Sequence, residues 1–549
     1  MQGNDVSAAW DRFVASFLED YFEAHPVFAA GAGRHELDGR LPDWSRAGLD
    51  AEAARLRAER RKAEAFAPAS LDPGRRFERE YLLAQIDCDL FWRDDAEQPF
   101  RNPLFYAGPL DPSLYLTRDY APLADRLRAY VRYAREVPRA AASIRENLKT
   151  PVPLSFADLG EMSFAGLADY YEKDVPGIFA AVDDAALQDE LRSVTAPAAT
   201  ALRELGAWCR QQAAPAGDSS GYRFGPDLFQ RMLRDTERVD VPLAELEAAG
   251  RRELERNLAA LHEACAAYAP GLSVEECLAR VQAEKSAEGP VGAARRQLAG
   301  LRRFVEEQEL VSIPGDEEAL IEEAPPYQRW NSAYIDIPGP YDRHLPSIYY
   351  ISPPDPAWTP EERDAYVPGE ADLLFITAHE VWPGHFLQFL HAHRVSSPLG
   401  RLFVGYGFAE GWAHYSEELM WEAGFGAGDP ATRIGQLQNA LLRNVRYLVA
   451  IGLHAGDMTL AEAEQLFREQ AFQDPANARQ QAARGTFDPG YLNYTLGKLM
   501  VRRLREDWTA PRGGRAAWRE FHDRLLSYGG PPIPLVRADM LGETGGPVL

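Results

Sequence analysis

The chain has 549 residues, 46% of them hydrophobic and 11% aromatic, enough apolar material for a large core. Its net charge of −24, with no Lys/Arg-rich block as a local exception, argues against a nucleic-acid backbone as partner and leaves peptides or small molecules. Cys88, Cys209, Cys265 and Cys277 are scattered without a CxxC pair, which excludes a zinc ribbon and an evident disulfide framework and suits a reducing compartment. The opening MQGNDVSAAWDRFVASF has no basic start followed by an apolar core, and no uncharged apolar run reaches about eighteen residues. The expectation is a soluble cytoplasmic protein with no membrane association; the sequence leaves its oligomeric state open.

In chain order, Trp10, Phe13, Val14, Phe17, Leu18, Tyr21 and Phe22 recur at helical spacing between Val6 and Glu23, and Pro26 follows where the helix should stop. Residues 49–66 carry many charges and read as a solvated helix face. Long amphipathic segments follow near 119–149, 186–213, 242–268 and 290–309, with no repeat of fixed period between them. The character changes at about residue 310. From Val311 to Pro353 the stretches SAYIDI and SIYYIS alternate as short strands do, so a small sheet is expected there. An open edge of it could hold an extended peptide as an added strand; plain packing is an equal reading. A length of 549 suggests three or four domains, yet no linker divides the chain. The expectation is therefore one domain over 1–549, with 1–310 a helical cleft wall and 311–549 holding the sheet and the chemistry.

That chemistry centres on residues 369–423. Six of the eleven histidines, His379, His385, His391, His393, His414 and His454, fall between 379 and 454. His379 and Glu380 begin as HExxH does, the motif in which two histidines one turn apart bind zinc beside a general base. The next histidine, however, is six residues on, and six steps of about 100° turn a straight helix through roughly 600°, away from the first. Pro383 removes a backbone donor and would clash with the carbonyl of His379, so a break or widened turn is expected, which Gly384 makes cheaper. A turn widened by two residues would return His385 to the face of His379. Glu410, on a following helix, is the first choice for third ligand. His414 and Glu417 lie four and seven residues later on the same side, so either could join the metal shell or lie behind it. His391 and His393 follow Phe386, Leu387, Phe389 and Leu390 and read as residues of the solvated helix end.

At these residues the chain resembles the domain of unknown function 885 family, relatives of the helical thermostable carboxypeptidases. The likeness is carried by His379, Glu380, Pro383, Gly384, His385 and Gln388; by Glu410, Gly411, Trp412, Ala413, Tyr415 and Glu417; by Arg443, Arg446, Gly452 and His454; and by Pro489, Gly490, Tyr494 and Gly497. It extends more weakly to HPVFAAGAGRHELDGRLPDWS near the amino end. Ala450 departs from the pattern where the family usually has Asp, which removes the expected partner of Arg446. His414 stands where an apolar residue is common. The resemblance implies a mainly α, large helical metallopeptidase-like fold with a deep cleft, a small β-sheet near the zinc helix, and a Zn2+ peptidase site held by His379, His385 and Glu410. In that reading Glu380 is the catalytic base and Tyr494, with Tyr491 as the nearby alternative, stabilises the oxyanion. Arg443, Arg446 and His454 would bind substrate, the arginines by its terminal carboxylate.

No GxSxG elbow or GxxxxGK[ST] loop is present, and GYGFAEG has glutamate where a dinucleotide fingerprint needs its third glycine. The expected function is a zinc-dependent, carboxypeptidase-like hydrolase of peptides. A catalytically inactive protein that binds a peptide or small molecule, and a hydrolase of a non-peptide amide, are the alternatives.

Overall fold

The computed structural model describes residues 2–215, 221–325, 329, 332–342, 344–356, 358–542 and 547–549. Helix dominates, as the apolar spacing predicts, and the chain forms two compact units: Met1–Arg223 with Pro338–Leu345, and Phe224–Ile337 with Pro346–Leu549.

In the first unit the long helices are α1 (Gln2–Ala24), α2 (Arg46–Glu64), α3 (Pro73–Leu90), α4 (Leu123–Asn147), α5 (Leu154–Lys173) and α6 (Ala185–Gln211). Their starts are written in the sequence. Ser45, Asp72 and Asp184 accept from the backbone N–H three residues on, satisfying donors that a helix leaves unpaired. On α1 the predicted stripe is buried: Trp10 and Phe17 are fully enclosed, each worth about 2 kcal/mol or more in apolar burial. In the weakly matching amino-terminal stretch, His35 lies between two buried carboxylates, Asp38 at 3.2 Å and Asp342 at 3.0 Å, and stacks on Tyr120.

The second unit carries α7 (Pro226–Glu237), α8 (Leu243–Tyr268), α9 (Gly289–Glu307), then the sheet, then α10 (Glu370–Glu380), α11 (His385–Ala392), α12 (Tyr406–Glu422), α13 (Pro430–His454), α14 (Pro475–Phe487) and α15 (Asn493–Thr509). The sheet has three strands, β1 (Leu320–Glu323), β2 (Ala333–Asp336) and β3 (Ile348–Ile351), in the order β1-β3-β2. β1 runs parallel to β3 with Leu320 opposite Ile348, and β2 antiparallel with Ala333 opposite Ile351. β2 is therefore an edge strand, and it packs on α10, where the sequence places the sheet.

Two packing devices fix the helices of this unit. α12 and α15 touch backbone to backbone, since a Cβ on Gly411 would lie 2.5 Å from the Gly497 Cα. Nearby, the wholly buried Lys498 of α15 donates to Glu253 of α8 and, at 2.9 Å, to Glu418 of α12, with Arg256 and Arg502 at the rim. Satisfied from several sides, such a cluster ties three helices into one arrangement, and removing one partner of a buried pair costs about 3–5 kcal/mol. Among the described residues no helix is long and apolar enough to cross a membrane.

Candidate metal centre

The region around Pro383 is a break, not a widened turn. α10 ends at Glu380, residues 381–384 leave the helix, and α11 begins at His385, so the two histidines stand on separate helices. The Gly384 N–H donates back to the Ala378 carbonyl at 3.0 Å, folding the chain tightly under the end of α10. A Cβ on Gly384 would lie 1.7 Å from the His379 carbonyl oxygen, so only glycine allows the approach. The Pro383 carbonyl accepts from the Trp412 indole N–H at 2.9 Å, which anchors the break to α12.

The result brings His379, His385 and Glu410 together. One ligand atom from each lies within 4.8 Å of the others. Glu410 Oε2 is 3.2 Å from His379 Nε2 and 3.4 Å from His385 Nε2, yet it is buried without a hydrogen-bond partner. The two rings are 4.7 Å apart and perpendicular, aiming both Nε2 atoms at one point. Two imidazole nitrogens and a carboxylate oxygen converging on a buried, otherwise unpartnered oxygen are the donor set of a three-ligand zinc site with an open position, so these residues fit that metal.

Glu417 and His414 lie behind the centre. Seven residues along α12 is about 10.5 Å of rise, so Glu417 reaches the far side of the imidazole that Glu410 meets at the near side. His379 Nδ1 is 2.7 Å from Glu417 Oε1, which fixes its proton on Nδ1 and leaves the Nε2 lone pair for a ligand bond. Burial alone would raise the Glu417 carboxyl pKa, but the Arg443 charge and the hydrogen bonds from His379 and His414 hold it well below the usual carboxylate range. His414 Nδ1 lies 3.4 Å from Glu417 Oε2; burial, then the Lys498 charge, push its pKa down to about 3, so the ring is neutral.

Glu380 sits at the last turn of α10, pointing elsewhere than His379, and its Oε2 accepts the Ile335 N–H of β2 at 3.1 Å. Burial, with the nearby Glu410 charge, pushes its carboxyl up to about 7 against the opposing influence of His385. Tyr494 is also at hand: its ring stacks on that of His379 at 6.2 Å. Tyr491 is buried with its hydroxyl over Gly485.

The arginines part company. Arg443 donates to Asn439, lies 3.0 Å from Glu417 Oε1, and is thus engaged in holding the residue behind His379. Arg446, one turn further along α13, forms no ion pair among the described residues: its Nε donates to Gln481 Oε1 at 2.9 Å, and its guanidinium lies 5.0 Å from the centre of the Tyr494 ring. Burial and then the Arg484 charge make its cationic form harder to keep. Ala450 supplies no carboxylate to it. His454 is not brought into the cluster. Its ring packs beside Phe224 and Phe229, and its Nε2 donates to the Gly485 carbonyl at 2.7 Å. His391 donates from Nε2 to the Ser312 carbonyl and is half-buried.

The family described as bacterial protein of unknown function, DUF885, matches residues 26–540. The chain belongs to that family. Two solved structures share the fold. A protein from Shewanella oneidensis described as a lipoprotein of unknown function is 22% identical with a TM-score of 0.80, over 97% of this chain and 99% of that one. One from Colwellia psychrerythraea, also described as a lipoprotein, is 17% identical with a TM-score of 0.78, over 98% of each. No curated protein matches the chain.

Proposed function

We propose that this DUF885 protein is a zinc-dependent hydrolase of peptide bonds, related in its site to the helical metallopeptidases and carboxypeptidase-like in direction. The observation that carries the reading is the convergence of His379, His385 and Glu410 on one point with the Glu380 carboxylate beside it. Zinc bound there supplies Lewis acidity toward a carbonyl and toward water. Glu380 holds and returns the proton: the Ile335 N–H occupies Oε2, which leaves Oε1 to take a proton from the attacking water and deliver it to the leaving amine. The Tyr494 phenol is the donor for the developing oxyanion.

Two further features favour a peptide with a free carboxyl end. The Ile335 N–H points away from β3 to Glu380, and by alternation the main chain of Ala333 faces the same outer edge of β2, to which an extended peptide could add as a strand beside Glu380. Arg446 is a buried cation with no ion pair among the described residues, suited to a substrate carboxylate. A cytoplasmic location stays part of the proposal, and the relatives described as lipoproteins make cell fractionation its direct test.

The deciding experiment is Glu380→Gln. Glutamine keeps the shape but cannot accept the proton, so zinc content and KM should hold while kcat falls by about 100-fold or more. Turnover of a peptide library that Glu380→Gln leaves intact would remove this mechanism. Zinc-loaded protein that binds peptides and turns over none would make it a binding protein.

A further inference from the structure

We propose that Glu237 is a positioning residue of the metal centre, setting α12, which carries Glu410, against α15, which carries Tyr494. Glu237 closes α7 and is 3% exposed. Its Oε1 accepts two hydrogen bonds, from the Gly407 N–H at 3.1 Å and from Asn493 Nδ2 at 2.8 Å. Gly407 is in the first turn of α12, three residues before Glu410; Asn493 opens α15, one residue before Tyr494.

Neither helix caps itself. The residue before α12 is Gly405 and the one before α15 is Leu492, and neither makes a side-chain cap. A helix start has unpaired N–H groups and the positive end of the backbone dipole, so a carboxylate there is favourable. One side chain from α7 takes the Gly407 backbone N–H in the first turn of α12 and the Asn493 side-chain amide at the start of α15 at once.

The need for it follows from how the two helices meet. A Cβ on Gly497 would stand 2.1 Å from the Gly407 carbonyl and 2.6 Å from the Gly411 Cα, so backbone lies on backbone. At the glycine contact itself no side chain projects into the facing helix; the Lys498–Glu418 pair holds the two helices further along, and the end nearest the metal ligands is left to another group. A slide of one helix along the other at that end would separate Glu410 from the Tyr494 phenol. Glu237 fills the space that a Gly407 side chain would take, its Oε2 only 2.5 Å from that Cβ position, and blocks the slide at the end nearest the metal ligands. That Oε2 is buried without a partner, and burial pushes the carboxyl up to about 7. Evidently the group is kept for its geometry and not for a charge pair.

The test uses the full-length zinc-loaded protein with Glu237→Ala, Glu237→Gln and Gly407→Ala, read by amide hydrogen exchange, zinc affinity in chelator competition, and steady-state kinetics. Only the kinetic readout rests on the proposed hydrolase activity. In Glu237→Ala, exchange across residues 406–411 should rise about tenfold, as expected for a lost cap, and across 493–497 by less, as the Asn493 side-chain tether is lost, with other helices unchanged. Zinc affinity should fall about tenfold, and kcat should fall with KM held. Glu237→Gln keeps an oxygen acceptor and should return to within about threefold of wild type. Gly407→Ala, which displaces the carboxylate, should repeat the exchange signature, and it decides the matter if Glu237→Ala does not fold. Wild-type exchange and zinc affinity in folded Glu237→Ala, or in Gly407→Ala in its stead, would overturn the proposal, as would a Gln variant as impaired as the Ala one. If the wild-type protein binds no zinc, the hydrolase reading falls while the exchange data still judge Glu237.

Discussion

Arg443 and Arg446 stand one turn apart on the same helix, both largely buried, yet the structure gives them opposite surroundings. Arg443 is paired with a carboxylate, Glu417 Oε1 at 3.0 Å, and donates to the Asn439 carbonyl at 2.9 Å, while its Nε is buried without a partner among the described residues. Arg446 has an amide oxygen, the face of a tyrosine ring and, among the described residues, no carboxylate. The difference teaches what a buried cation is for. A buried cation paired with a carboxylate holds other residues in place, whereas one without such a pair costs stability and persists where it meets something from outside.

Removing Arg443 should have the largest effect. Arg443→Met leaves Glu417 buried with its main counter-charge gone, which is expected to cost about 3–5 kcal/mol, seen as a large drop in the urea midpoint. Any folded fraction should also hold zinc more weakly, because Glu417 then competes for a proton instead of fixing His379. Unchanged stability in Arg443→Met would mean that the arginine faces solvent and that the two residues do not differ as described.

A smaller effect is expected from Glu417→Gln, which keeps the shape behind His379 and removes the charge. Partners of metal-bound histidines typically contribute 10–100-fold in affinity, so chelator competition should show a loss of about that size. The comparison sharpens at His385, whose Nδ1 is buried with no partner. That histidine is placed by the chain itself through Gly384. Gly384→Ala should therefore weaken zinc binding through His385 while Glu417 and Arg443 remain in position, and equal zinc affinity in Gly384→Ala and wild type would contradict the 1.7 Å contact that the extra methyl makes.

Much of this was legible in the sequence, and the losses have physical causes. Apolar spacing anticipates helices over 6–23, 119–149, 186–213, 242–268 and 290–309, and the corresponding helices run Gln2–Ala24, Leu123–Asn147, Ala185–Gln211, Leu243–Tyr268 and Gly289–Glu307. Pro138 and Pro197 sit inside two of them without ending them, since tertiary packing outweighs local preference. β2 and β3 fall in the two alternating stretches, whereas β1, LIEE, lies outside both. The ligand trio follows from residue type and order, but the shape of the chain between His379 and His385 does not: composition allows a bulge or a break, and the Trp412 anchor on Pro383, from a distant helix, accompanies the break. Glu417 appears in sequence as a rival of Glu410, the first choice, because helical periodicity repeats every seven residues; only the rise along the helix separates near from far imidazole nitrogen. His454 reads as a site residue from its motif and proves to be core, because the stretch 224–229 that packs on it carries no signal linking it to residue 454. Glu237 was invisible for the same reason: it is one more acid at a helix end until the two helix starts it serves are seen together.

The smallest effect in magnitude, and the most informative in sign, belongs to Arg446. If it awaits a substrate carboxylate, Arg446→Met removes a cation that no carboxylate among the described residues pairs with and replaces it with an apolar side chain of similar length. The folded protein should then be as stable as wild type or more so, by up to about 1 kcal/mol, in contrast to the heavy loss from Arg443→Met. Zinc content should not change. What should change is selectivity: under the proposed function the wild-type protein should favour peptides with a free carboxyl end over amidated ones by about tenfold or more, the worth of one charge-assisted hydrogen-bonded contact, and Arg446→Met should cleave both alike. Because the same substitution would leave stability unchanged or raised and abolish discrimination, a structural role cannot imitate it. Equal cleavage of free and amidated peptides by the wild-type protein would return Arg446 to the packing of Tyr494 and leave an endopeptidase or aminopeptidase direction in its place.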